Sequence, residues 1–272
     1  MLIQHSSRVS PEKYFALKGN KRAVSALRSP LQNQLLAALP AADYARLLPE
    51  LEPVALLPGW IIHGAGDREM YLYFIVAGIV SRLYVMESGA STVLALTGSE
   101  GVIGVASFTG GESTPTQAEV LSAGHAYRIR ADLMKSEFER DGSLHHLLLR
   151  YTQFLIAQIG QAAACYRHHA VKQQLCRWIL SCMDRLQCDE LLMSHELISN
   201  MLGVRRECVT QAAGNLQADG LIHYRRGHIH VTDRAKIEER ACECHAVVKR
   251  EYDRLLPHKV DRLPITTSWP FV

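Results

Sequence analysis

The stretch 194–232 constrains this chain more than any other part of it. Ser194 can cap a helix because its hydroxyl accepts one of the orphan backbone N–H groups, and Leu197, Ile198 and Met201 then recur at helical spacing to give one buried face. Gly203 closes that pattern, since glycine reaches positive φ without steric cost and lets the chain reverse within a few residues. Arg205, Arg206 and Glu207 open a second helix with Val209, Ala212, Ala213 and Leu216 as its inward stripe. Arg206, Glu207, Thr210, Gln211 and Asn215 face outward, and the helix ends near Asp219-Gly220. Residues 221–224 and 228–231 alternate around Arg225-Arg226-Gly227, which spells a hairpin with a basic tip. The order helix, turn, helix, hairpin is that of a winged helix-turn-helix, whose second helix enters the major groove of DNA.

The side chains suit that task. Arginine bonds guanine through two contacts, glutamate accepts from cytosine and glutamine pairs with adenine, each good pair contributing about 1–3 kcal/mol of discrimination. Arg225 and Arg226 are placed to touch phosphate, which fixes register and carries no sequence information.

The segment resembles the DNA-binding domain of the Crp/Fnr family of bacterial transcription regulators. The resemblance rests on Ser194, Glu196, Ile198, Ser199, Met201-Leu202-Gly203-Val204, Arg206-Glu207, Val209, Leu216, Gly220-Leu221-Ile222 and Arg226-Gly227. It implies that Arg206 and Glu207 read bases and that Ser194, His195 and Arg205 meet the DNA backbone; Gln211 stands at a further reading position that is often Arg in the family. With Thr210, Arg225 and Arg226 these form the expected DNA contact set. Arg205 stands where family members often carry a Ser or Thr cap, so the first N–H groups of the second helix lose an acceptor. Glu207 in the first turn offsets part of that through the helix dipole, worth about 0.3–1 kcal/mol.

Upstream, 51–127 reads as β. Apolar stretches at 54–57, 61–62, 71–76, 79–85, 93–96 and 127–129 are separated by turn signals such as Pro58-Gly59, Gly64-Ala65-Gly66-Asp67, Gly78, Ser88-Gly89 and Gly110-Gly111, which implies a barrel or sandwich. Through Gly66-Asp67, Tyr73-Phe74-Ile75, Gly78 and the glycines at 101 and 104, this half resembles the cyclic-nucleotide-binding β-roll of the same family. The resemblance implies an effector pocket at Gly104, Val105, Ser107, Thr116 and Gln117. Nucleotide-binding members use a Gly-Glu pair for the ribose and an Arg followed by Ser or Thr for the phosphate. Val105-Ala106 and Pro115-Thr116 stand near those positions, and 98–127 contains no Lys or Arg. Burying an anion without a cationic partner is costly, so cyclic AMP or GMP bound in the familiar way is not expected, and no cofactor is assigned. A neutral or apolar effector, and a roll closed by its own side chains that serves only as a dimer scaffold, both stay open. Haem on His63 and His125 is a weaker reading than two ordinary polar histidines.

Between the halves, 143–166 is a long helical pattern. Leu144, Leu148, Tyr151, Leu155, Ile159 and Ala162 recur as a packed seam, which the resemblance makes the dimer interface. A dimer suits a reader of two half-sites about 34–36 Å apart. Residues 167–172 read as the hinge, 175–186 as the first helix of the DNA domain, and His168-His169 as favourable charge at a helix C-terminus. Residues 31–48 read as short helices leading into the roll and 233–256 as a helix beyond the usual family boundary.

The seven cysteines, Cys165, Cys176, Cys182, Cys188, Cys208, Cys242 and Cys244, are odd in number and read as free thiols. The closest metal-like group is Cys242, Cys244 and His245; no second ligand pair follows at the usual spacing, so no metal site is assigned. The expected fold is thus α+β: a jelly-roll-like N-terminal β-roll, a long dimerisation helix and a C-terminal winged helix-turn-helix. Its units are 1–30, an extension whose composition is compatible with disorder; 31–142, the roll; 143–171, dimer helix and hinge; 172–240, the DNA domain; and 241–272, a C-terminal helix and tail. At 272 residues the chain exceeds one ordinary domain, and its net charge of +3 says little either way about nucleic acid. Apolar runs fall short of the ~18 residues of a membrane span and residues 1–11 lack a signal-peptide centre, so a cytoplasmic protein is expected. No nucleophile-base or phosphate-loop motif points to an enzyme. The expected partners are double-stranded DNA with a palindromic site, a second copy of the chain and RNA polymerase. The competing readings are a winged fold that binds protein instead of DNA, and a redox- or metal-dependent protein using its Cys and His residues.

Overall fold

The computed structural model describes residues 29–256; the expected extension up to residue 28 and the tail from 257 lie outside the described residues. A 3-10 turn (Pro30–Gln32) leads into two short helices, α1 (Gln34–Ala37) and α2 (Ala41–Leu47). Asn33 caps α1 by accepting from the N–H groups of Leu35 and Leu36, and its buried amide donates to Ile75 O at 2.8 Å and Gly101 O at 2.9 Å. One side chain thereby ends a turn, starts a helix and fastens both to the sheet.

That sheet has six antiparallel strands, β1 (Glu52–Leu56), β2 (Ile61–His63), β3 (Tyr71–Val85), β4 (Ser91–Thr97), β5 (Val102–Ile103) and β6 (Gln117–Arg130). Its path is β1-β6-β3-β4, with β2 added on β6 and β5 on β3. The sequence predicts two strands where β3 runs unbroken through Gly78. Register shifts against β6 between Ile75 and Val80 take up the glycine signal as bulges instead of a turn. Helices α3 (Ala106–Thr109) and α4 (Ala131–Phe138) complete the roll.

Helix α5 (Ser143–His168) follows, then α6 (Val171–Leu186), β7 (Glu190–Leu192), α7 (His195–Leu202), α8 (Arg206–Ala218), β8 (Ile222–Arg225), β9 (His228–Val231), α9 (Arg234–Arg240) and α10 (Cys244–Leu255). The strands β7-β9-β8 form a second, small sheet. Only His169 and Ala170, both with extended backbone, separate α5 from α6, so the expected hinge shrinks to two residues. The single helix expected at 233–256 is broken at 241–243, where Ala241 turns extended and carries Cys242 and Cys244 inward beside Cys165.

The seam assigned to a partner is corrected. Leu144, Leu148, Tyr151, Leu155 and Ala162 are buried within the single chain, and Ile159 is half-buried. Leu144, Leu148, Tyr151 and Leu155 pack with Leu72, Phe74, Val102 and Ile129 of the roll and with Leu255 and Leu256 at the end of α10. A heptad-like stripe marks a packed face without saying what packs on it, and here the roll and the C-terminal extension do so. Tyr151 donates its hydroxyl to Val102 O at 3.0 Å, and Gln158 accepts from Leu96 N at 2.7 Å, so α5 is hydrogen-bonded to the sheet as well.

A second core runs across the boundary between the two expected domains. Ile79, Leu83, Val93 and Leu96 of the roll join Leu175, Trp178, Ile179 and Met183 of α6, and through them Ile198, Val209, Ala213 and Leu216. Arg185 and Glu100, both largely buried, pair at 2.7 Å along the same boundary. No helix among the described residues is long and apolar enough to cross a membrane.

Asp184 ties the extension to α6, meeting Arg234 at 2.7 Å and His245 at 2.8 Å. Burial alone would raise its carboxyl, but the hydrogen bonds from His245 and Arg234 hold it at about 2. A depressed aspartate stabilises the fold above its unfolded value and stops doing so as pH falls toward its folded value. Asp184→Asn is therefore expected to lower Tm at neutral pH, with the gap to wild type closing between about pH 4 and about pH 2. Calorimetry across that range checks it; a gap that does not change with pH would refute the assignment.

Candidate nucleic-acid interface and effector pocket

Helix α7 begins where expected, with the Ser194 hydroxyl accepting from Leu197 N at 3.1 Å, a cap worth about 0.5–2 kcal/mol. Gly203 ends it at φ +67°, and a Cβ there would strike the Thr92 hydroxyl of β4, so the turn of the motif rests directly on the roll. Ser91 adds a hydrogen bond, its hydroxyl donating to Asn200 O at 3.2 Å. Arg205 is the N-cap of α8 and makes no side-chain cap bond, as its residue type dictates. Val209, Ala212, Ala213 and Leu216 are buried, whereas Arg205, Arg206, Glu207, Gln211 and Asn215 stand exposed at the start and along the outer face of α8.

In the wing, Arg225 pairs with His228, which leaves Arg226 and Gly227 as a two-residue turn with φ of +50° and +84°. Positive φ at both central positions is the hairpin turn whose twist matches the strands, and it projects Arg225 and Arg226 into solvent. Strand β7 on the far edge was not legible, being three residues long with one buried side chain, Leu191.

Two members of the expected contact set are engaged inside the head. The His195 ring stacks on Tyr224 with centroids 4.1 Å apart, and its Nδ1 lies 3.0 Å from Thr210 Oγ1. Burial, then the nearby Arg206 guanidinium, lower the His195 pKa, which keeps the ring neutral. Gln217 accepts from Tyr224 N at 2.7 Å. These contacts weld α7, α8 and the wing into one body.

The β-roll corrects the sequence reading more deeply. Val105 packs into the core with Leu72, Phe74 and Phe108. Ser107 donates its hydroxyl to Gly104 O at 2.6 Å and its backbone N–H to Glu69 Oε2 at 3.2 Å. Half-buried Gln117 donates to Glu119 Oε2 at 3.0 Å. Thr116 accepts at 2.9 Å from Arg82, whose side chain comes from β3 and is 5% exposed. The cation missing from 98–127 is thus supplied by another strand.

Arg82 keeps Nε and Nη2 buried without a hydrogen-bond partner among the described residues. Glu69, equally buried, lies 3.3 Å from His63 Nε2. Burial raises the Glu69 carboxyl, while Arg82 and the N–H groups of Ala106 and Ser107 pull it back. Burial and then Arg82 push His63 down to about 4, so it is a neutral neighbour of the carboxylate. An arginine inside the apolar run Ile79-Val80-Ser81-Arg82-Leu83 was the sequence signal for this site, because arginine is almost never fully buried without a partner.

The cysteine cluster also differs from expectation. His245 bonds to Asp184, and Cys242 and Cys244 meet Cys165 and His169 instead.

Residues 173–240 match the Crp-like helix-turn-helix domain, and residues 53–141 match the cyclic nucleotide-binding domain. This chain belongs to the Crp/Fnr family of transcription regulators. Among curated relatives, the global nitrogen regulator of Nostoc sp. (strain PCC 7120) is 25% identical over 182 residues, covering 61% of this chain and 78% of the relative. Among solved structures, FixK2 of Bradyrhizobium japonicum superposes with a TM-score of 0.60 at 17% identity, over 71% of this chain and 98% of the other. The c-di-GMP-responsive global regulator CLP of Xanthomonas campestris does so with a TM-score of 0.59 at 17% identity, over 71% and 100%. These two likenesses carry the fold. As a Crp/Fnr regulator the chain combines a DNA-binding head with a nucleotide-binding-like roll, and the family consists of transcription regulators rather than enzymes.

Proposed function

We propose that the chain is a homodimeric, sequence-specific regulator that reads two half-sites of a palindromic duplex and answers to a small anionic effector held in its β-roll. The observation that carries this reading is the exposed set Arg205, Arg206, Glu207 and Gln211 on α8, backed by a fully buried inner face and flanked by the basic wing. The guanidinium-led helix start beside a basic hairpin tip matches the phosphate and base edges of a duplex and favours DNA over a protein partner. A DNA-binding role fits a cytoplasmic location and is compatible with RNA polymerase as a further partner.

The dimer seam is re-assigned to the outer face of α5. Leu149, Gln153, Ile156, Gly160, Ala163 and Arg167 are exposed and alternate at spacings of four and three, which is the period of a two-helix seam. Leu149 and Ile156 leave 45% and 58% of their surface in water, a large exposure for apolar groups. Gly160 and Ala163 let backbones approach at its C-terminal end.

For the effector, Arg82 offers an anion the N–H groups of Nε and Nη2, which have no partner among the described residues, and Glu69 offers a carboxylate to a hydroxyl on the same molecule. The ribose-reading and phosphate-reading roles would then be met from positions other than those the family commonly uses. The c-di-GMP response of CLP gives a relative's precedent for an anionic nucleotide.

Genomic fragments selected by the purified protein should yield one palindromic motif. Arg206→Ala should weaken binding to it by about 1–3 kcal/mol while leaving random duplex unchanged; no preference over random duplex would overturn the reading. Ile156→Glu should give a monomer by sedimentation, whereas Leu148→Glu should instead lower Tm; a dimer unaffected by Ile156→Glu would return the seam to another face. In a thermal-shift panel of phosphate- and carboxylate-bearing metabolites, a ligand at 100-fold its Kd should stabilise wild type by about 2.7 kcal/mol and leave Arg82→Gln unmoved. Equal stabilisation of both proteins would remove Arg82 from the pocket.

A further inference from the structure

Where α5 gives way to α6, four side chains from two distant parts of the sequence converge. Cys165 and His169 lie one turn apart at the end of α5, Cys242 lies in the break between α9 and α10, and Cys244 is the first residue of α10. One ligand atom from each lies within 4.8 Å of all the others. Cys165 Sγ is 3.5 Å from Cys242 Sγ, and Cys244 Sγ is 3.5 Å from His169 Nδ1. A zinc ion with Zn–S bonds of about 2.3 Å and a Zn–N bond of about 2.0 Å sets the edges of its tetrahedron at about 3.5–3.8 Å. The two close pairs already have that length, and the remaining pairs exceed it by at most about 1 Å.

The surroundings are those of a metal centre. The other ring nitrogen of His169, Nε2, lies 3.2 Å from the Glu243 carboxylate, an arrangement that fixes the tautomer and leaves Nδ1 as the ligating atom. Gln161 donates to Cys244 Sγ at 3.0 Å, and Gln174 donates to the backbone carbonyl of His169 at 2.8 Å, so the thiol and the backbone that carries the imidazole are both held in place. Cys165, Cys242 and Cys244 are all buried. Three thiolates, a neutral imidazole and one divalent ion leave a single negative charge, and buried Arg177 sits nearby over the Tyr166 ring, 5.4 Å from its centroid, with its Nε unpartnered.

We propose that Cys165, His169, Cys242 and Cys244 form a tetrahedral Cys3His site for a zinc-class divalent cation that staples the C-terminal extension to the joint between the dimer helix and the DNA-binding head. Three thiols and a histidine are the donor set of closed structural zinc sites. The 4.8 Å spread holds one ion and is too tight for a multi-iron cluster. The ion replaces the thiol protons, and its binding energy becomes folding energy for the extension. A disulfide between Cys165 and Cys242 would account for one pair and leave the approach of Cys244, His169 and Glu243 unexplained.

The test uses the full-length chain, purified under reducing conditions without chelator or histidine tag. Elemental analysis should find about one zinc per protomer. Cobalt exchanged into the wild-type protein should give strong tetrahedral d–d bands together with thiolate-to-cobalt charge transfer. Cys242→Ser and Cys244→Ser should each lose the metal, and Cys188→Ser, at an exposed cysteine outside the cluster, should keep it. The exposed Glu243 can be changed without disturbing the core, and Glu243→Gln should weaken zinc binding about 10–100-fold. A metal-free protein whose cobalt spectrum is weak and octahedral would overturn the proposal, as would iron with acid-labile sulfide, or a Cys165–Cys242 disulfide in anaerobically prepared protein. None of these readouts involves DNA, so the site stands or falls apart from the regulator's target.

Discussion

Helix α6 is the beam on which both halves of the molecule rest. Leu175, Trp178, Ile179 and Met183 meet Ile79, Leu83, Val93 and Leu96 of the roll, and the same core continues to Ile198, Val209, Ala213 and Leu216 of the reading head. Fully burying a side chain of this kind contributes about 1.5–3 kcal/mol, so the shared core outweighs any single polar contact at the boundary. Packed interiors change between discrete arrangements rather than deforming smoothly. Under the proposed function, an effector in the roll would act on the head only through its differential affinity for two seatings of α6.

The reading head was legible almost residue by residue. Ser194, Gly203 and the 209, 212, 213, 216 stripe are local signals, each set by a cap, a backbone dihedral or a helical period, and the structure honours all of them. What the sequence could not convey was partnership over distance. The α5 stripe from Leu144 to Ala162 announced a buried face truthfully, yet a period of about three and a half does not distinguish a partner helix from the roll and α10. His195 and Thr210 read as outward contacts, and their meeting across α7 and α8, which no spacing rule conveys, shows that they also brace the two helices.

The same gap explains the two polar sites. A window on 98–127 held no cation, and the roll met the need from β3, which antiparallel pairing with β6 lays alongside Thr116. Cys165 and Cys242 are separated by 77 positions, so no spacing rule could join them. In both cases chemistry is assembled by topology, and the sequence clue was a residue out of character with its neighbours: an arginine in an apolar strand, a histidine at a helix end facing sulfur.

The stacking of His195 on Tyr224 and the Gln217 bond to the wing brace α7, α8 and the wing against one another. Toward α5 the connection is the two-residue His169-Ala170 link. With so short a link, α8 and the wing can change their aim only together, as one rigid arm carried by α6.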